Sequence, residues 1–103
     1  MKLYRLTASI VLFRNNIAEL KSVIESFLDT SLSVKLYLID NSPEPILENL
    51  AIDSRVEYFY LNANRGFGAG HNVVLKRLHL LGEYHLILNP DVILEKGTLE
   101  KLC

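Results

Sequence analysis

The sequence predicts an α/β domain built on an open, mainly parallel sheet. Two observations predict it. Short apolar runs rich in strand formers alternate with stretches whose apolar residues recur at helical spacing. Loops rich in Asn, Asp, Gly and Pro follow the strand candidates, as they do where crossovers return the chain to the same sheet edge.

Thr7 to Phe13 reads as a buried first strand. Asn15 or Asn16 can cap a helix whose apolar face is Ile17, Leu20, Val23, Ile24, Phe27 and Leu28. Val34 to Ile39 is the second strand, ending in Asp40-Asn41-Ser42-Pro43. Pro43 and Pro45 then punctuate a loop, and Ile46, Leu47 and Leu50 suggest a short helix. Val56 to Leu61 is the third strand. A helix is expected from about Gly70 to Leu81, with Gly82 as its C′ stop. Tyr84 to Leu88 is the fourth strand, and Thr98 to Leu102 begins a further helix. The expected strand order is 3-2-1-4.

The 103 residues suffice for one domain or part of one. A core burying roughly 60–65% of the unfolded surface is within reach at this size. Lys and Arg number 11 against 12 Asp and Glu, for a net charge of −1, so no basic face recommends a nucleic-acid binder. No apolar stretch approaches the ~20 residues of a membrane span, and nothing at Met1-Lys2-Leu3-Tyr4-Arg5 reads as a signal peptide. The single cysteine, Cys103, excludes an intrachain disulfide, which makes a reducing cytoplasm the expected compartment.

The loops after the strands carry the chemistry. In open α/β sheets, ligands bind outside the carboxyl ends of the strands. Phe13 and Arg14 follow strand one, Asp40 and Asn41 strand two, Asn62 to Gly66 strand three, and Asn89 and Asp91 strand four. Asn64-Arg65-Gly66-Phe67-Gly68-Ala69-Gly70-His71-Asn72 is a glycine-rich loop running into a helix, which lets the backbone approach a ligand closely. Each feature also has a structural reading. Asp40 can cap a turn with Ser42, Asp91 can be a turn residue after Pro90, and the glycines can serve tight strand-to-helix packing. His71, His79 and His85 have no metal-ligand spacing, and Tyr58, Phe59 and Tyr60 are strand residues. Glu95-Lys96 and Glu100-Lys101 read as a solvated face. A dinucleotide-binding reading of Gly66-Phe67-Gly68-Ala69-Gly70 fails on spacing, because His71 stands where the third glycine belongs.

Ala8-Ser9-Ile10-Val11-Leu12-Phe13, Leu38-Ile39-Asp40-Asn41-Ser42, the glycine-rich loop and Leu88-Asn89-Pro90-Asp91 together resemble the family 2 glycosyltransferases, most of all their rhamnosyltransferase-like members. The resemblance spans nearly the whole chain. It implies the nucleotide-binding half of a GT-A fold and transfer of a sugar from a UDP- or dTDP-sugar, plausibly dTDP-rhamnose, to a glycan or lipid-linked acceptor of a bacterial surface polysaccharide. It also implies that Asp40 accepts the imide N–H of a uracil or thymine and that Phe13, Arg65, Gly66 and Asn89 line the nucleotide. Asp91, at the family's Asp-x-Asp position, would hold Mg²⁺ or Mn²⁺ on the diphosphate; Asn89 replaces the first aspartate with a poorer metal ligand. The family's general base and acceptor site are expected beyond Cys103. This chain alone is therefore expected to be inactive, peripheral to the inner membrane face if not freely cytoplasmic, and dimeric through surface left open beyond the fourth strand. A nucleotide-binding or assembly module without catalysis is the alternative.

Overall fold

In a computed structural model of the chain, residues 3–45, 53–61, 72, 75, 76 and 81–103 are described. Strands β1 (Leu6–Leu12), β2 (Val34–Asp40), β3 (Val56–Tyr60) and β4 (Tyr84–Ile87) form one parallel sheet in the order β3-β2-β1-β4. Class, order and strand positions match the expectation, with edges shifted by one residue. The expected helix at 46–50 lies outside the described residues. So does most of the expected helix from 70 to 81, of which one helical hydrogen bond, Lys76 N to the Asn72 carbonyl at 3.1 Å, is described.

Helix α1 (Ile17–Leu28) forms because its apolar residues share a face and its first turn is capped. Asn16 is the N-cap, and its side-chain oxygen accepts from Glu19 N at 3.0 Å. Asn15 has a different task, accepting from Phe13 N at 2.7 Å to close the preceding turn. Leu20, Val23, Ile24 and Phe27 are buried, whereas Ile17 stays 47% exposed at the helix start. These four residues pack on Leu6, Ala8, Ile10 and Leu12 of β1 and on Val34, Leu36 and Leu38 of β2. Helix α2 (Thr98–Leu102) joins the same layer through Leu99. Glu100 is exposed, as a solvated face requires, and also ties α2 to the loop after α1: it accepts from the Thr30 hydroxyl at 2.7 Å and from Ser31 N at 3.3 Å, which help hold its carboxyl below the usual range.

The opposite face of the sheet carries Val11, Tyr37 and Ile39, with Phe59, Leu61 and Leu81 against them. Burial, reinforced by the Glu57 charge, pushes the Tyr37 phenol up to about 12, against about 10 in an unfolded chain. The folded protein therefore holds this proton more tightly than the unfolded one. The stabilisation is complete below about pH 10 and is lost as pH rises from there through about 12. Tyr37→Phe is expected to remove that part of the alkaline slope, worth up to roughly 2–3 kcal/mol. Urea midpoints of both proteins at pH 9 and 11.5 check it, and identical alkaline losses in the two would contradict it.

Gly82 is required by space and not by a left-handed turn. A Cβ there would lie 2.9 Å from the Tyr4 carbonyl oxygen and 3.1 Å from Thr7 N, and Gly82 N donates to the Thr7 hydroxyl at 2.9 Å. The expected C′ stop, which needs positive φ, is thus corrected: among the described glycines only Gly97, the N-cap of α2, has φ of that sign, at 88°. Closeness at Gly82 brings β4 against β1, where the half-buried His85 sits between the hydroxyls of Thr7 (2.7 Å) and Ser9 (3.0 Å). Arg5 locks the other end of this junction, pairing with Glu83, lying over the Tyr84 ring and donating to the Cys103 carbonyl at 2.7 Å.

Candidate functional site

The parallel sheet brings the carboxyl ends of β1, β2 and β3 to one edge, and the chain turns there. Leu12 pairs with Asp40, and Asp40 with Tyr60. Asn41 N donates to the Leu12 carbonyl at 2.8 Å, so the loop leaving β2 starts on top of β1.

Asp40 closes this loop from within. It is fully buried, and its Oδ1 accepts from Ser42 N at 2.8 Å. This is the Asx turn anticipated as the structural reading of Asp40. Its Oδ2 accepts from the Tyr58 hydroxyl. The Ser42 hydroxyl in turn accepts from Arg14 N at 2.9 Å, tying the loop after β1 to the loop after β2. Arg14 has φ 51°, a left-handed backbone unusual for a residue with a Cβ. Its guanidinium lies over the ring of Phe13, 5.3 Å from the centroid. Phe13 is 43% exposed. On the other side, the Tyr60 hydroxyl donates to the Pro43 carbonyl at 2.6 Å. Burial raises the Tyr60 phenol above its ordinary value, with the charges of Asp40 and Glu44 adding to it. A hollow of about 350 Å³ at these loops is lined by Arg14, Ser42, Pro43 and Glu44.

Asn89 and Asp91 lie apart from that hollow. Both are exposed, in a tight turn in which Val92 N donates to the Asn89 carbonyl at 3.3 Å. Pro90 takes the position where its fixed φ favours such a turn. Asp91 lines a second hollow of about 280 Å³ with Glu19, Ser22, Val23 and Ile93, against the start of α1. The register explains the separation. β4 ends at Ile87 opposite Ser9, three residues short of Leu12. The ends of β2 and β4 therefore differ by roughly 10 Å along the strands and two strand spacings, again about 10 Å, across them.

Of the expected site residues, the structure brings Phe13 and Asp40 to one loop cluster and sets Asn89 and Asp91 at its own turn. Arg65 and Gly66 lie outside the described residues. Arg14 joins the cluster from the loop after strand one, as its place among the strand-end loops suggests, whereas Tyr58 and Tyr60 read only as strand residues. The alternation of Tyr58 and Tyr60 on one strand face was the available signal, since it puts two phenols beside the end of β2 once the parallel register is known.

Glycosyl transferase family 2 has a sequence model that matches residues 9–103. The chain belongs to that family. The match covers the second half of β1, the other three strands and both loop clusters just described, which makes a glycosyltransferase domain the general assignment. No curated protein matches the chain significantly.

As a family 2 glycosyltransferase domain, it has a donor set that can be tested against a divalent ion. Among the described residues no group of three or more His, Cys, Asp or Glu side chains could hold one. Mg²⁺ on a phosphorylated ligand, however, commonly keeps several waters and takes only one or two carboxylates, with phosphate oxygens completing its shell. The exposed Asp91, with Glu19 across the same hollow, fits that sparse protein share. Among the described residues no helix is long and apolar enough to cross a membrane.

Proposed function

We propose that this domain binds the nucleotide of a UDP- or dTDP-sugar, plausibly dTDP-rhamnose, for transfer of the sugar to a glycan or lipid-linked acceptor in bacterial surface polysaccharide synthesis, on the cytoplasmic side. The observation that carries this reading is the position of Asp40. The carboxylate at the end of the central parallel strand β2 holds Ser42 N, in a loop beside a hollow lined by Arg14, Ser42, Pro43 and Glu44, and the Arg14 guanidinium lies over the exposed Phe13 ring. A carboxylate only accepts hydrogen bonds, so it suits the imide N–H of a uracil or thymine and not the N1 acceptor of adenine. Phe13 offers a ring face to the base. Arg65, Gly66 and Asn89 belong to the same nucleotide site in this proposal, as the family resemblance implies.

Mg²⁺ or Mn²⁺, when bound, neutralises the diphosphate leaving group. Asp91 is its proposed protein ligand, and Asn89 next to it is a neutral and weaker donor. In the transfer, an acceptor hydroxyl attacks the anomeric carbon as the bond to the diphosphate oxygen breaks, and the hydroxyl proton goes to a base. No residue of this chain is assigned that role, so the isolated chain is expected to bind donor and not to turn it over.

A second reading has one observation in its favour. Asp40 is completely buried and both of its oxygens have internal donors, which suits a carboxylate that only anchors the fold of a non-catalytic module. Titration of UDP with and without EDTA tests the metal and the nucleotide together. Chelation is expected to weaken binding to the wild type by at least about tenfold and to leave Asp91→Asn unchanged, a carboxylate–metal contact being worth more than ~1.4 kcal/mol. Equal wild-type affinity in both conditions would remove Asp91 from a metal role, and absent UDP binding would favour the second reading.

A further inference from the structure

We propose that Tyr58 caps Asp40 until an imide N–H takes the place of its hydroxyl, and so sets how tightly this site holds its base. The inference rests on the nucleotide reading above and goes beyond it in naming what the base must displace. Asp40 and Tyr58 lie on neighbouring parallel strands, where Leu38 is the register partner of Tyr58 and Asp40 that of Tyr60. Tyr58 is therefore one side-chain repeat behind Asp40 on the same face of the sheet. Its phenol spans that step diagonally and donates to Oδ2.

Among the described residues, the two donors on Asp40 are not equally displaceable. Ser42 N, on Oδ1, is backbone inside the turn whose side-chain hydroxyl also holds Arg14 N. Removing it undoes the loops after both β1 and β2. The Tyr58 hydroxyl ends a rotatable side chain that is only half-buried. With Asp40 fully buried, a ligand donor reaches Oδ2 by exchange with that hydroxyl.

The exchange is balanced only for a base that brings a ring N–H donor. A uracil or thymine N3–H replaces one O–H donor with one N–H donor, and the carboxylate stays satisfied. A base without a hydrogen at that position would leave a buried carboxylate oxygen unpaired, which is the kind of mismatch a polar site rejects strongly. The tyrosine is thus a positioning residue that acts through Asp40. It makes displacement affordable for a base with a ring N–H donor and for none that lacks one.

The test titrates wild type and Tyr58→Phe with UDP and with its N3-methyl analogue. Without the competing hydroxyl, UDP affinity is expected to rise about tenfold, while the N3-methyl analogue stays at least about tenfold weaker than UDP in both proteins. A fall in UDP affinity, no change, or equal affinity of the variant for the two ligands would overturn the proposal. A second measurement keeps the question open to refutation if Tyr58→Phe does not fold. In wild type carrying ¹³C-labelled tyrosine, UDP should shift the Tyr58 ring resonances and the N3-methyl analogue should not. Binding of UDP with Tyr58 unmoved would overturn the role of Tyr58 alone. Failure of the wild type to bind UDP would overturn the nucleotide reading and the exchange together.

Discussion

Asp40→Ala is expected to weaken UDP binding by about 10–150-fold, because a hydrogen bond to a carboxylate is worth roughly 1.5–3 kcal/mol. Any residual ADP affinity should change far less, since adenine presents an acceptor where uracil presents a donor. The same substitution strips Ser42 N and the Tyr58 hydroxyl of their acceptor. A stability loss of about 1–3 kcal/mol should therefore accompany the binding defect. The two effects separate by calorimetry at saturating stability, well below the unfolding midpoint. If Asp40→Ala unfolds more easily yet binds UDP as the wild type does, the carboxylate is a fold anchor and not a base reader.

The largest expected loss of stability lies in the layer between α1 and the sheet. Phe27 is fully buried and is the largest of the fully buried side chains among the described residues. Phe27→Ala should cost about 3–5 kcal/mol, the transfer term plus the cavity that the rigid β1–β2 surface cannot fill. Domains of this kind have only ~5–15 kcal/mol in total, so the variant is expected to melt at least about 12 °C lower. Ile17→Ala is the control on the same helix. Ile17 is 47% exposed, and its truncation should stay within roughly 1 kcal/mol. Comparable losses at the two positions, read from urea unfolding, would contradict the assigned orientation of α1.

The fold was legible in the sequence where burial imposes a period. β1 and β2 are buried along both faces and read as continuous apolar runs. The α1 face declared itself through the spacing of Leu20, Val23, Ile24 and Phe27. Their loops gave the position of Asp40, because strand ends in such sheets are where chemistry collects. What the sequence left open were matters of geometry between distant residues. Whether Asp40 caps a turn or faces a ligand was an open choice, and the structure shows the turn, with Ser42 N on one oxygen. That Tyr58 occupies the other oxygen depends on the β2–β3 register, which no local pattern states. Gly82 was misread for the same reason: its need for no Cβ comes from the Tyr4 and Thr7 backbone, more than seventy residues earlier in the chain. The gap between the Asp40 and Asp91 hollows follows from β4 ending opposite Ser9, a register fact as well.

The central claim is that Asp40 reads a pyrimidine imide at the end of β2. Titration of the wild-type chain with UDP and with ADP, in the presence of Mg²⁺, tests it most directly by calorimetry. The account predicts UDP binding at least about tenfold tighter than ADP, the least that one hydrogen bond to a carboxylate supplies. Equal affinities for the two nucleotides would contradict it.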